Sequence, residues 1–262
     1  MVLFLEDSWV RKQSSESCYN TIAIDFDHEL SSPSLGYSRN AFINLIPTIV
    51  SPYDMSREAE KYFEEVSGSW DVLRKSFYGD EVRDAVLSAA RLLPENTVLD
   101  VGAGTGFLTE GAAKIARKVI ALDFSEAMMN EARGKLDQRN IEFKIGNVEQ
   151  IPLPNTSVDA VIGNMVLHHC PSPEAAVREM ARVLVPGGRL VLSDLQEHNY
   201  ESLRKEHADL WMGFKMDYVR MTLQKAGLED VNAQALSYCC SETKENEQIR
   251  IPMFLATGHK PW

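Results

Sequence analysis

From residue 57 onward, the apolar positions of this 262-residue chain alternate between two periods. Residues 57–66 and 80–93 carry them at the i, i+3, i+4 spacing of an amphipathic helix, with Val82, Ala85, Val86 and Ala89 on one face and Pro94 as a stop. At 97–101 a short aliphatic run with an acid at Asp100 reads as a strand. Three glycines at alternate positions follow, Gly102, Gly104 and Gly106, and a helical period starts at once over 107–116. The pattern then repeats: strand 118–123, helix 125–138 with Ser125 as N-cap, strands 141–146 and 157–164, helix 173–184, a turn at Pro186-Gly187-Gly188, and strand 189–193. Helices at 200–214 and 217–226, with Gly227 beyond the second, lead to strands 229–238 and 248–257.

Repeated strand–helix units predict an α/β domain, a parallel sheet with helices on both faces. The last two strands are joined only by the polar run 241–247, and so short a link allows antiparallel pairing alone. Residues 1–56 read differently. Serine-rich turns surround a short strand pattern at 21–26, and the apolar segment 41–50 is broken by Pro47. This extension reads either as an arm that packs on the main domain 57–262 or on a second copy in a homodimer, or as a flexible tail. The aromatic-rich link Trp70 to Gly79 reads as core or as a lid over the site.

Composition narrows the partners. A net charge of −11 opposes a phosphate backbone, so no nucleic acid is expected. No apolar run reaches membrane-spanning length, and the start lacks a basic segment before its apolar residues, so no membrane and no secretory leader are expected. Cys18, Cys170, Cys239 and Cys240 lack C-x-x-C spacing and fit free thiols in a reducing cytoplasm.

The glycine loop is the first candidate for chemistry, because main chain without Cβ atoms lets a ligand lie against amides at a helix N-terminus. Its G-x-G-x-G spacing differs from the dinucleotide fingerprint, and no Lys-Ser/Thr follows as in a phosphate loop. Asp123 ends the second strand 21 positions after Gly102, where a carboxylate accepts from ribose hydroxyls. Phe124 offers an apolar face beside it. Asn147 and Val148 follow the third strand and Asn164 ends the fourth, so that with Asp100 four polar groups converge beyond the carboxyl ends of the sheet.

These residues resemble a known family, the class I S-adenosylmethionine-dependent methyltransferases of the UbiE-like type, over roughly 57–262. The matching runs are 98–106, 120–125, 146–152, 161–169 and 183–190, in that order. The resemblance implies a Rossmann-like seven-stranded sheet with an antiparallel last strand, and S-adenosylmethionine as cofactor with S-adenosylhomocysteine as product. It implies that the loop, Asp100, Gly102, Ala103, Gly104 and Gly106, holds the methionine part together with Asn164. Asp123 would then take the ribose, Phe124 and Met128 the adenine faces, and Asn147 with the Val148 amide the adenine edge. Asn147 stands where the family commonly has Asp; its side-chain carbonyl still accepts from the exocyclic amine.

Methyl transfer from a sulfonium is an in-line displacement in which alignment supplies most of the acceleration, so the acceptor side carries a weaker pattern. Its candidates are His168 and His169 after the fourth strand, His198 after the fifth, and His207 with Trp211, which an unbroken helix 200–214 would set on one face. His169, His198 and His207 with one thiol of Cys239 or Cys240 could surround a metal, but the spacing matches no compact zinc motif, and no metal is assigned. The runs 167–171, 193–195 and 207–214 also resemble the methyltransferase module that some proteins fuse to an ArsR-type regulator, whose regulator part residues 1–56 do not match. The expectation is a methyltransferase acting on a small-molecule acceptor, a thiol or metalloid among the options. The alternatives are a nicotinamide oxidoreductase and a module that binds S-adenosylmethionine without turnover.

Overall fold

The computed structural model describes residues 52–136, 139–244 and 247–262. The expectations for residues 1–51 lie outside the described residues. Within the unit Val50–Trp262 three helices come first: α1 (Pro52–Val66), α2 (Trp70–Phe77) and α3 (Asp80–Ala90). The aromatic link is thus itself a helix. α3 ends at Arg91, which adopts φ +49°, before Pro94 can act as the stop.

Seven strands form one sheet: β1 (Thr97–Val101), β2 (Lys118–Asp123), β3 (Ile141–Ile145), β4 (Val158–Asn164), β5 (Leu184–Leu195), β6 (Glu229–Lys244) and β7 (Glu247–His259). Their order is β3-β2-β1-β4-β5-β7-β6. β1 pairs parallel with β2 and with β4, and β7 runs antiparallel to both β5 and β6. This is the Rossmann-like sheet with an antiparallel last strand that the pattern predicts. The remaining helices are α4 (Phe107–Ala113), α5 (Glu126–Lys135), α6 (Pro173–Val183), α7 (Glu201–His207) and α8 (Met216–Lys225).

Alternation along the central strands divides the core. Leu99, Val101, Ile120, Leu122 and Val161 point to one face, where they meet Val177 and Met180 of α6 and Val219 and Leu223 of α8. Val98, Val119, Ala160 and Ile162 point to the other, against Val86 of α3 and Leu108 and Ala112 of α4. Two helical layers therefore sandwich the sheet. Among the described residues no helix is long and apolar enough to cross a membrane.

Three local expectations are corrected. The Pro186-Gly187-Gly188 turn lies inside β5, where the register jumps from Val158↔Leu184 to Ala160↔Arg189, and Gly187 (φ +76°) donates to Lys260 O at 2.8 Å. Most of the polar run 241–247 is strand, paired as far as Lys244↔Glu247, because cross-strand bonds satisfy polar positions as well as apolar ones. The expected helix 200–214 stops at His207, since Ala208 turns left-handed at φ +57°. Residues 208–214 instead return along β5, where Phe214 N–H donates to Leu195 O at 3.0 Å and Phe214 O accepts from Glu197 N–H at 3.2 Å. The apolar spacing of Leu210, Trp211 and Phe214 imitates a helix while serving this return.

Candidate functional site

The loop after β1 has Gly102, Gly104 and Gly106 at φ +63°, +54° and +90°. Ala103 N–H anchors it to Leu122 O of β2 at 3.0 Å. At Gly102 a Cβ would lie 2.6 Å from Val166 Cγ2, whereas at Gly104 it would meet only Trp70 Nε1 at 3.8 Å. One glycine is required by packing; the other leaves open space in front of the main chain.

Asp123, at the end of β2, lies directly against this loop. Its Oδ2 accepts from Gly104 N–H at 2.8 Å and its Oδ1 from Ser125 N–H at 2.9 Å. Burial pushes the Asp123 carboxyl above its ordinary value, and these amides pull the other way. Ser125 caps α5 as expected, accepting from Met128 N–H at 3.3 Å. Burial raises Asp100 further, to about 7, against the Thr109 hydroxyl that bonds it at 2.5 Å.

A cavity of about 290 Å³ opens here, lined by Asp100, Gly102, Ala103, Gly104, Asp123, Phe124, Met128, Asn147, Val148 and Asn164. Of the residues assigned to the cofactor, Gly106 alone is absent from its walls. A Cβ there would strike Leu136 Cδ1 at 2.4 Å, and its amide closes the loop on Ala103 O, so it shapes the turn. Asn147 already spends its side-chain oxygen on Glu149 N–H at 2.7 Å, which leaves a second lone pair for a ligand. Asn164 is fixed from both sides: its Nδ2 donates to Tyr78 OH at 2.9 Å, and Ser193 OH donates to its Oδ1 at 2.6 Å.

α1 and α2 roof the cavity with aromatics. The Phe63 ring meets Trp70, Phe124 and His169 edge-on, with centroids 5.6, 5.9 and 5.0 Å away. Asp71 of α2 ties this roof down, accepting from Thr105 OH at 2.7 Å and pairing with Lys135 of α5. The aromatic segment takes both roles its pattern allowed: Trp70 lines the cavity, whereas Phe77 and Tyr78 are buried in a hydrophobic core with Ile251 and Met253.

A smaller cavity of about 50 Å³ adjoins the first and shares Trp70, Tyr78, Met165 and His169 with it. Met165, at their border, has φ +56°, a strained value for a residue with a side chain. Tyr62, Phe77, His168, His207, Asp209 and Cys240 line the rest with Leu195, Ile249 and Ile251. His168 is buried between two carboxylates, with Nδ1 2.6 Å from Asp194 Oδ1 and Nε2 3.5 Å from Asp209 Oδ1. Burial opposes its charge, but Asp194 and Asp209 outweigh that and push it up to about 9. Burial and the neighbouring His168 hold His169 well below its ordinary value. His207 Nδ1 lies 2.9 Å from Tyr62 OH.

Of the five acceptor-side candidates, three meet at this cavity and two do not. His198 is buried away from both cavities, its Nδ1 accepting from Tyr200 N–H at 3.2 Å. Trp211 is not on a helix with His207, because α7 has ended; its indole N–H donates to Cys170 O at 2.8 Å and it lines neither cavity. His198 therefore drops out of the metal set His169, His198, His207 and thiol, and the Cys239 side chain lies outside the described residues. Sequence reasoning gave no role to Tyr62, Phe63, Asp194 or Asp209. An acid closing β5 was the one available signal, for Asp194.

A family model described as methyltransferase domain matches residues 99–192. A demethylmenaquinone methyltransferase of Renibacterium salmoninarum is 32% identical over 158 residues, 59% of this chain and 66% of that protein. An arsenite methyltransferase of Halobacterium salinarum is 37% identical over 112 residues, 40% of this chain and 29% of that one. The match thus spans less than two thirds of either relative. Among solved structures, a phosphoethanolamine N-methyltransferase 2 of Haemonchus contortus with phosphomonomethylethanolamine and S-adenosylhomocysteine shares the fold at TM-score 0.66 and 12% identity, covering 83% of this chain and 62% of that one. With the ordered motifs, the glycine loop and the sheet that carries it, these matches identify residues 99–192 as a methyltransferase domain, in a chain similar to the class I S-adenosylmethionine-dependent methyltransferases.

Proposed function

We propose that this protein transfers the methyl group of S-adenosylmethionine to a small-molecule acceptor whose nucleophile enters the smaller cavity. The observation that carries this reading is the wall of Trp70, Tyr78, Met165 and His169 common to the two cavities. A sulfonium in the larger cavity would present its methyl to an acceptor at this shared border, nucleophile, methyl carbon and leaving sulfur in line, as the displacement needs. Asp123 would accept from the ribose hydroxyls, Phe124 and Met128 would flank the adenine, and Asn147 with the Val148 amide would meet its edge. Gly102, Gly104 and Asn164 would hold the methionine part.

The acceptor atom is a thiol sulfur or a metalloid. The smaller cavity, about 50 Å³, is lined by His168, His169, His207, Asp209 and Cys240, a polar setting that suits a small, soft nucleophile. The matched Halobacterium protein bears the name arsenite methyltransferase, which favours the same reading. Incubation with methyl-labelled S-adenosylmethionine and, in turn, a short alkyl thiol, arsenite and a naphthoquinol tests it. Label is expected in the thiol or arsenite product. Methylation of the quinol alone would overturn the acceptor class, and binding of S-adenosylmethionine with no labelled product would support the non-catalytic reading.

A further inference from the structure

Asp209 is a buried carboxylate that accepts no hydrogen bond among the described residues. Its nearest partners are two imidazoles, His168 Nε2 at 3.5 Å and His169 Nδ1 at 3.9 Å. One ligand atom from each of His168, His169 and Asp209 lies within 4.8 Å of the others. Behind His168, Asp194 Oδ1 takes Nδ1 at 2.6 Å while its Oδ2 accepts from Leu167 N–H at 2.8 Å, so the carboxylate that orients the ring is itself held.

We propose that His168, His169 and Asp209 bind a divalent transition metal of the zinc class at the smaller cavity, with Asp194 orienting His168 from behind. Four observations converge on this. Donors about 2.0–2.2 Å from a tetrahedral zinc stand roughly 3.4 Å apart; here the two contacts to Asp209 are 3.5 and 3.9 Å and all three donors lie within 4.8 Å, so side-chain movement closes the site. The carboxylate–imidazole pair Asp194–His168 is the support that metal-bound histidines require to fix their tautomer. Two buried carboxylates balance a dication once the ion has displaced the proton that His168 holds between them. Last, Asp209 also lines a surface depression whose rim carries Glu58, Glu65, Glu201 and Glu206 against Lys61 and Arg204, an acidic mouth that draws cations toward it.

His169 Nδ1 would exchange a 3.3 Å contact with Ala208 O, at the long end for a hydrogen bond, for the ion. Two imidazoles and one carboxylate leave the fourth position to water or to the acceptor. The role assigned to the ion rests on the second cavity being the acceptor's, but binding of the ion does not.

The test is titration of metal-stripped full-length protein with Co²⁺ and Zn²⁺, read by the visible bands of tetrahedral cobalt and by elemental analysis after gel filtration. One ion per chain is expected for the wild type. Asp209→Asn and His169→Gln are expected to abolish it, and Asp194→Asn to weaken it by ~10–100-fold. His198→Gln, outside the cluster, is expected to bind as the wild type does. Calorimetry with S-adenosylhomocysteine confirms that each variant is folded. Wild-type protein that binds the nucleoside but no cobalt or zinc would overturn the proposal, as would metal binding undiminished in Asp209→Asn and His169→Gln. Either result would leave the methyl-transfer reading standing, with Asp194, His168 and Asp209 as a metal-free ionic chain.

Discussion

The two cavities are built on opposite plans. The larger takes most of its polar walls from local units of strand, turn and helix: Asp100 to Gly104, Asp123 to Met128, Asn147 to Val148. The smaller is gathered from Tyr62 on α1, Phe77 on α2, His168 and His169 after β4, His207 and Asp209 around the end of α7, and Cys240, Ile249 and Ile251 on the terminal hairpin. A binding surface made of consecutive residues keeps one shape whatever packs around it. One made of distant segments can be rebuilt by moving any of them, which suits a fold whose cofactor is constant and whose acceptor varies.

This difference is open to direct attack, beginning where the effect is largest. Gly104→Leu puts a side chain into open space in front of the loop and forces φ +54° on a residue with a Cβ. S-adenosylhomocysteine binding is expected to vanish in calorimetry, at a stability cost of about 1–2 kcal/mol. Retained binding would show that the nucleoside does not lie on this main chain.

Asp123→Ala is expected to weaken nucleoside binding by ~1–3 kcal/mol, since hydrogen bonds to a charged acceptor are lost. Unchanged affinity would remove Asp123 from the ribose.

Asp100 gives the comparison a pH dimension. Its folded value of about 7 stands above that of the unfolded chain, so between the two values the folded state holds a proton that the unfolded chain has released. Stability should therefore fall as pH rises from about 4 to about 7, by roughly 1.4 kcal/mol per pH unit from this group. Asp100→Asn should remove that slope from urea denaturation curves; a slope unaltered by the substitution would contradict it.

The smallest effect concerns Trp211. Trp211→Phe loses one hydrogen bond to Cys170 O and is expected to cost ~0.5–1.5 kcal/mol of stability, with turnover unchanged. A fall in turnover at full folding would return Trp211 to the acceptor side.

The same contrast explains what could be read without coordinates. The lining of the larger cavity was legible because its residues lie in contiguous motifs whose spacing states the geometry: three alternate glycines after a strand, an acid at the end of the next, polar residues at the ends of two more. The sheet and its antiparallel end were legible because a short polar link leaves one way to pair. The smaller cavity was not, since its geometry depends on where the chain breaks. Ala208, with nothing in its side chain to mark a left-handed turn, ends α7 and sends Trp211 outward while Asp209 turns inward. Phe63 and Tyr62 read as ordinary apolar positions of an amphipathic helix, and only tertiary packing makes them the roof of one cavity and the wall of the other.

The most direct measurement is a crystal structure of the protein with S-adenosylhomocysteine. The ribose hydroxyls should lie on Asp123, and the sulfur should face Met165 and His169, with the smaller cavity beyond it. A nucleoside bound elsewhere, or a sulfur turned away from that shared wall, would contradict the two-cavity account.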